Sequence, residues 1–427
     1  MSKKLGSLLT LAIGGTSIFI GDYYTYSHYV VPLIQRTWHA EHSHIFAIKS
    51  ARHGIVPRIP KDDDEVSSYL KTNLLGIDLN NPVGLAAGFD KDGEAVAGLS
   101  NFGFGFIEVG SVTPNPQRGN MYPRVFRLME DRAIINRYGF NNLGHETMVN
   151  NLDRQSKAIK KNNIVVGVNL GKNRDTKDAI GDYVSGLQRF YNLDTVRYFV
   201  INISSPNTPN LRKMQDAKEL TQLLDRVLRE KSRLDSSSVK KPLLLKIAPD
   251  LTDEQLKDIS SIVVRYSKST NDRSAIDGLI ISNTTVTRPS SLLSDPKLIY
   301  EEGGLSGPPL RQLSTNVIRK MYKLTNGSVP IIGVGGIESG ADAFEKIIAG
   351  ASAVQLLTSL TYFGPPIVKA VKTELALFLH YNGFRNIRDA IGAEHRPGGL
   401  SNKTIQLPPQ WNVDSKKSNE FQTMHGK

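Results

Sequence analysis

A chain of 427 residues with 39% apolar side chains can bury a large core, as one barrel-sized domain or as two ordinary ones. The lack of any cysteine excludes disulfide frameworks, cysteine-ligated zinc or iron–sulfur centres and thiol nucleophiles. An excess of 53 Lys and Arg over 41 Asp and Glu, formally +12, favours an anionic partner such as a phosphate cofactor, a carboxylate substrate or an acidic membrane; no basic run interleaved with aromatics points to nucleic acid.

Residues 5–21, LGSLLTLAIGGTSIFIG, carry no charge, follow Lys3 and Lys4, and precede Tyr23, Tyr24 and Tyr26. The stretch is just long enough for a membrane-spanning helix with aromatic flanks. It is long for a cleaved secretory signal, and no small-x-small cleavage site precedes Asp22. Between residues 29 and 56, Val30, Leu33, Ile34, Ile45, Phe46 and Ile48 recur at helical spacing, with His39, Glu41, His42, His44, Lys49, Arg52 and His53 between them. This predicts two short amphipathic helices separated near His39 and Ala40, suited to lying on a membrane and sheltering an apolar tail. The histidines have no carboxylate pattern to complete a metal site, so they are expected on a solvated face and no metal is expected. The acidic patch 62–65 is expected to be a linker.

From residue 81 to about 396 a short β-branched run, a polar or Gly-rich loop and a helical stretch alternate. Eight runs can be counted, at 83–87, 106–110, 164–170, 198–204, 243–247, 278–282, 330–334 and 353–357. Most are continuously apolar, as parallel strands buried on both faces should be. Eight such strands with intervening helices predict an α/β fold, a (β/α)8 TIM barrel. Residues 112–150, rich in Pro, Arg and Asn, are expected to wander across its catalytic face, and the stretch after Arg396 to form an irregular tail.

Working residues of such a barrel lie at the C-terminal ends of its strands. The residues there are Ala86, Ala87, Gly88 and Lys91; Ser111; Asn169; Asn202 with Ser204, Ser205, Asn207 and Thr208; Lys246; Ser282, Asn283 and Thr284; Gly335 and Gly336; and Leu357 and Thr358. The Gly-rich stretches at 303–307 and 333–336 suit a phosphate, because late strand ends are where these barrels often hold one. No G-x-G-x-x-G follows the first strand, which disfavours a Rossmann dinucleotide site. Lys246, inside LLLKIAP, needs an anionic or acceptor partner, whether a ligand or a neighbouring carboxylate.

The ordered motifs NPVGLAAGFDK (81–91), IINRYGFNN (134–142), GVNLGKN (167–173), VINISSPNT (200–208), KIAPD (246–250), SNTT (282–285), GGLSG (303–307) and IIGVGG (331–336) resemble those of class 2 dihydroorotate dehydrogenases, over residues 29–396. The resemblance implies FMN as cofactor, held by Ala86, Ala87, Gly88, Ser111, Asn169, Asn202, Lys246, Ser282, Gly307, Gly335, Gly336, Leu357 and Thr358; the family often has a tyrosine where Leu357 stands. A lysine cation beside the flavin N1/O2 edge would stabilise its reduced form. It also implies dihydroorotate bound by Lys91, Asn136, Arg137, Tyr138, Gly139, Phe140, Asn202, Asn207, Asn283 and Thr284, amides suiting a flat ring of alternating N–H and C=O groups. Ser205 would take the C5 proton while a hydride leaves C6, with Thr208 and Phe140 in a relay, since a serine hydroxyl alone is a poor base. Left to the residues alone, Ser205-Pro-Asn207 reads as a turn with an Asx-type side-chain bond, and only the resemblance gives Ser205 this role.

By the same resemblance, Gln35, His44 and Arg127 line a tunnel for ubiquinone, and orotate is the product, formed in pyrimidine synthesis. The expected organisation is an anchor at 1–28, a quinone-access helical unit at 29–60, the FMN barrel at 61–396 and the tail at 397–427. The expected location is the mitochondrial inner membrane, crossed once, with the barrel outside the matrix. A 2-hydroxy-acid oxidase on the same barrel would need a strand-end histidine, and none is present. A tethered binding barrel without catalysis would leave Lys246 and the asparagines without a purpose.

Overall fold

The computed structural model describes residues 22–268, 274–397, 400 and 405–408. The expected membrane span at 5–21 and most of the tail lie outside the described residues, and among those described no helix is long and apolar enough to cross a membrane. Eight strands close into a parallel barrel in chain order: β1 Val83–Leu85, β2 Phe106–Val112, β3 Val166–Leu170, β4 Val196–Asn202, β5 Leu243–Ile247, β6 Gly278–Ile281, β7 Ile331–Val334 and β8 Ala353–Leu356, with β8 pairing back onto β1. None of their ends departs from the sequence expectation by more than two residues. The continuous apolar runs explain this: β3, β5, β6 and β8 are buried at every position, between the barrel interior and the surrounding helices.

The barrel interior is graded along its axis. Toward the N-terminal mouth Phe106, Tyr198, Leu244, Ile280, Ile332 and Ala353 pack together, with Leu74, Ile77 and Leu79 of the hairpin Thr72–Leu74 and Ile77–Leu79 inserted as a stopper. Gly84 and Gly167 make room for two of those rings: a Cβ on Gly84 would lie 2.4 Å from the Phe106 ring, and one on Gly167 would lie 2.0 Å from Tyr198. Inward positions one step further along are polar: Glu108 on β2, Asn169 on β3, Asn202 on β4, Lys246 on β5 and Gln355 on β8. Burying them requires mutual hydrogen bonds, which gathers the polar chemistry at one end.

Residues 112–150 lie across the barrel mouth, and they do so as ordered structure: Val125–Leu128 and Ala133–Asn136 form an antiparallel hairpin, joined by Gly304–Ser306 from far along the chain into a three-stranded sheet. Pairing at that sequence separation leaves no local pattern to read. The acidic patch is not a linker: Asp64 and Glu65 fill the first turn of the helix Asp64–Leu70, where negative charge suits the helix dipole, and Asp62 pairs with Lys372 at 2.6 Å. Of the tail, Ile405 is buried, and the backbone of Gln406 exchanges two 3.0 Å hydrogen bonds with the Asn382 side chain.

The N-terminal segment runs helically from Tyr23 through a π-turn at Tyr26–Val30 into α1, Val31–Thr37, breaks at Trp38 and His39, and resumes as α2, Ala40–Arg52. Pro32 has no N–H to give, and the Val31 N–H reaches five residues back to Tyr26 O, widening the turn. The far end of α2 lies so close to the barrel that a Cβ on Gly98 would fall 1.9 Å from Ala51 O. Its near end is held by Glu41 and Arg124, both almost fully buried and 2.7 Å apart.

Candidate active site

A cavity of about 520 Å³ runs from α1 and α2 to the C-terminal ends of the barrel strands. Its outer part is apolar, lined by Tyr26, Val31, Ile34, Phe46, Ala47 and Pro57. Its inner part gathers, from separate strand ends, Ala86, Ala87, Gly88, Lys91, Ser111, Asn136, Tyr138, Gly139, Phe140, Asn202, Ser205, Asn207, Lys246, Ser282, Asn283, Thr284, Gly307, Gly335, Gly336, Leu357 and Thr358. Gln35, His44 and Arg127 line it as well.

Three of the residues that the resemblance assigns to the site do not line this cavity. The Arg137 side chain leaves it and pairs with Glu301 at 2.6 Å, because side chains alternate at the end of an extended strand and Asn136 and Tyr138 take the inward places. Asn169 lies just beneath the wall and bonds to its members. Thr208 is buried beside Ser205, and its hydroxyl has no hydrogen-bond partner.

The inner wall is a connected set of amides and hydroxyls. Asn202 Nδ2 donates to Ser111 Oγ at 2.9 Å and to Asn169 Oδ1 at 3.2 Å. Asn283 Nδ2 donates to Ser204 Oγ at 3.0 Å and to Asn202 Oδ1 at 3.3 Å, and Asn207 Nδ2 donates to Asn136 O at 3.1 Å. Ser205 Oγ accepts the Asn207 N–H at 3.3 Å, which is the turn bond the sequence allowed; the hydroxyl remains at the cavity surface. Such a rigid, mixed donor–acceptor surface matches a flat polar ring.

Two lysines face the inner part of the cavity. Lys91 Nζ donates to Gly88 O at 3.0 Å and sits 4.0 Å over the Tyr138 ring. Burial lowers its pKa to about 8, with the Glu41 carboxylate opposing the shift. Lys246 Nζ has Glu108 Oε1 at 3.8 Å, beyond hydrogen-bond length, so its donors remain available to a ligand. Glu108 and Gln355 were missed in the sequence, although a glutamate within the run FIEVG carries the same signal as the lysine within LLLKI.

At the outer end, His44 Nε2 lies 2.6 Å from Phe89 O and Nδ1 lies 3.3 Å from the Tyr138 hydroxyl. A carbonyl only accepts, so Nε2 carries the proton and the phenol donates to Nδ1. Burial and the nearby Lys91 charge push the His44 pKa down to about 3, leaving the ring neutral. Gln35 Nε2 donates to Thr361 O at 3.0 Å, while Arg127 donates to the backbone oxygens of Gln35 and Trp38 at 3.1 and 2.9 Å. Arg127 Nε is buried without a partner.

A third region has the features of an anion cradle. Gly307, Gly335 and Gly336 all have positive φ, and a Cβ on Gly336 would lie 2.5 Å from Arg311 Cβ. The first turn of the helix Thr358–Phe363, whose N–H groups have no partner within the helix, borders the same cavity, and Ser359 Oγ there is buried without a partner. Among the described residues no group of three or more His, Asp or Glu could hold a metal ion.

With this geometry in view, the comparisons with known proteins are specific. A profile of the family described as dihydroorotate dehydrogenase matches residues 69–379. The chain is 50% identical to the mouse mitochondrial dihydroorotate dehydrogenase (quinone), over 88% of this chain and 92% of that protein. It is 46% identical to the dihydroorotate dehydrogenase (quinone) of Rhodospirillum rubrum, over 86% and 95%. The crystal structure of Eimeria tenella DHODH in complex with ferulenol superposes with a TM-score of 0.77 at 42% identity, over 84% of this chain and 96% of that one.

Proposed function

The chain belongs to the dihydroorotate dehydrogenase family, and from that premise we propose that it oxidises dihydroorotate to orotate in pyrimidine biosynthesis, with a quinone as the final electron acceptor. The observation that carries this reading is the single cavity, polar where the strands end and apolar where α1 and α2 frame it. It offers one place for a charged, flat substrate and another for an isoprenoid quinone.

The inner cavity fits FMN as cofactor. The glycine cradle at Gly307, Gly335 and Gly336, with Thr358 and the unpartnered Ser359 hydroxyl, suits a phosphate. Ala86, Ala87, Gly88 and Leu357 offer a smooth wall for a ring, Ser111, Asn202, Lys246 and Ser282 offer polar groups at its edges, and Asn169 holds Ser111 and Asn202 from beneath. When bound, FMN supplies a two-electron acceptor that protein side chains lack.

The protein's own residues bind and deprotonate. Lys91 holds the substrate carboxylate, while Asn136, Asn207, Asn283, Thr284 and the backbone around Gly139 match the ring's amide edges. Arg137, paired outward with Glu301, acts only through the position it gives that loop. Ser205 takes the C5 proton, and the buried, unpartnered Thr208 hydroxyl supports a relay that carries the proton away, with Phe140 at the cavity wall.

At the other end, Arg127 Nε offers a donor to a quinone head, neutral His44 lines the passage with both ring nitrogens held by Phe89 O and the Tyr138 hydroxyl, and Gln35 fixes α1 against the barrel. Tyr24, Tyr29, Leu33, Trp38, Phe46 and Ile55 are exposed on the helical unit. Such an apolar, aromatic surface supports attachment to a membrane, with residues 5–21 as the anchor. The mitochondrial relatives support a mitochondrial location, and we place the protein at the inner membrane, crossed once, with the barrel outside the matrix.

The test is a steady-state assay of detergent-solubilised protein with dihydroorotate and a short-chain ubiquinone analogue. Stoichiometric orotate and quinol are expected. Orotate formation with NAD+ or fumarate but not with the quinone would contradict the assignment of the acceptor.

A further inference from the structure

One level beneath the strand-end pocket, on the barrel axis, lies a carboxylate that the chemistry above does not use. Glu108 on β2 is fully buried. Its Oε1 accepts from Asn169 Nδ2 at 2.7 Å and its Oε2 from Gln355 Nε2 at 2.7 Å. Lys246 Nζ lies 3.8 Å from Oε1.

An ionised carboxylate can only accept hydrogen bonds, so both amides must turn their NH2 groups toward it. Asn169 Oδ1 is thereby set on the far side, where it accepts from Asn202 Nδ2 at 3.2 Å and from Ser111 Oγ. Asn202 then presents Oδ1 to Asn283 Nδ2 at 3.3 Å and to Ser204 Oγ at 3.1 Å. Asn283 Oδ1 in turn accepts the backbone N–H of Thr284 at 2.7 Å. A backbone N–H can only donate, so the two ends of the chain impose the same direction on every amide between them. A free asparagine can flip its oxygen and nitrogen at little cost; these three cannot, because each flip would set donor against donor or acceptor against acceptor.

We infer that Glu108 is a positioning residue: its negative charge fixes the donor–acceptor polarity of Asn169, Asn202 and Asn283, and it offsets Lys246 so that the bound flavin is harder to reduce. The inference rests on the reading of this cavity as the FMN and dihydroorotate site. The electrostatic part follows from sign alone, since reduction adds negative charge above Lys246 and a buried anion nearby opposes it. Glutamine at this position has nearly the same volume but no charge, and it donates as readily as it accepts, so it removes the electrostatic effect and leaves the direction of the amide chain to the Thr284 and Ser204 N–H groups alone.

The experiment compares wild type, Glu108→Gln and Glu108→Asp as FMN-loaded proteins, measuring the flavin midpoint potential and the orotate dissociation constant. Glu108→Gln is expected to raise the potential by about 30 mV, a tenfold shift in a two-electron equilibrium, and to weaken orotate binding about tenfold. Glu108→Asp keeps the charge and is expected to restore most of the potential. Asn169→Leu serves if Glu108→Gln does not fold: it interrupts the amide chain between Glu108 and Asn202, so orotate binding by the FMN-loaded variant should weaken about tenfold. A wild-type protein that binds FMN and orotate, beside a Glu108→Gln variant with both values unaltered or an Asn169→Leu variant with undiminished orotate binding, overturns the role of Glu108. A wild-type protein that binds neither overturns the reading of the cavity instead.

Discussion

Replacing Glu41 by alanine tests how the helical unit is joined to the barrel. Glu41 and Arg124 meet through Nε–Oε1, Nε–Oε2 and Nη2–Oε1 contacts at 3.2, 3.1 and 2.7 Å. Both side chains are about 95% shielded from water, at 5% and 4% exposure. Removing one partner of such a pair strands the other charge and costs about 3–5 kcal/mol. Arg124 keeps Arg118 O at 2.6 Å and Asn120 O at 3.0 Å, which places the loss toward the lower end of that range and on the docking of α2. Thermal unfolding should show a drop of roughly 3–5 °C, and the KM for quinone should rise more than the KM for dihydroorotate. Glu41→Leu combined with Arg124→Leu should recover much of the stability, because an apolar pair needs no counter-charge. It should not recover a second effect: Glu41 is the main carboxylate supporting the Lys91 charge, so every variant lacking it should lose orotate affinity at a lower pH than wild type. A melting temperature within 1 °C of wild type for Glu41→Ala, with both KM values unchanged, would refute the reasoning.

Ser205→Ala should reduce dihydroorotate turnover by about 10²- to 10⁴-fold, the usual worth of a positioned proton acceptor, with flavin still bound; full turnover in that variant removes Ser205 from its role. Lys91 has a lowered pKa near 8, so its ammonium is present below that pH and lost above it. Orotate affinity should therefore fall as pH rises through about 8, and affinity that stays level to pH 10 contradicts Lys91 as the carboxylate's partner. Deleting residues 1–56 should spare oxidation coupled to a soluble dye and impair reduction of a long-chain quinone; equal quinone rates for both forms would count against the helical unit as the quinone's route.

The barrel was legible because its strands are buried on both faces, so each is a short apolar run with nothing to alternate against. Strand-end positions followed from the architecture, and the turn bond in Ser205-Pro-Asn207 was readable from its residues, while the roles given to Asn202 through Thr208 came from the resemblance. What escaped were features made by distance. The sheet uniting Gly304–Ser306 with Ala133–Asn136 depends on pairing across some 170 positions, and the Glu41–Arg124 clasp joins a helix to a loop 83 residues away. Arg137 was placed with its neighbours because strand alternation at 136–138 was not recognised. Glu108 was overlooked although a glutamate inside a buried run is as conspicuous as Lys246, since the cation had a ligand to explain it and the anion had none.

The central claim is that this cavity holds FMN between dihydroorotate and a quinone. An anaerobic absorption spectrum of the purified protein tests it most directly. The flavin band should be present, should bleach when dihydroorotate is added, and should return when a ubiquinone analogue follows. A colourless protein that cannot be reconstituted with FMN, or a flavin band that dihydroorotate leaves untouched, would contradict the account.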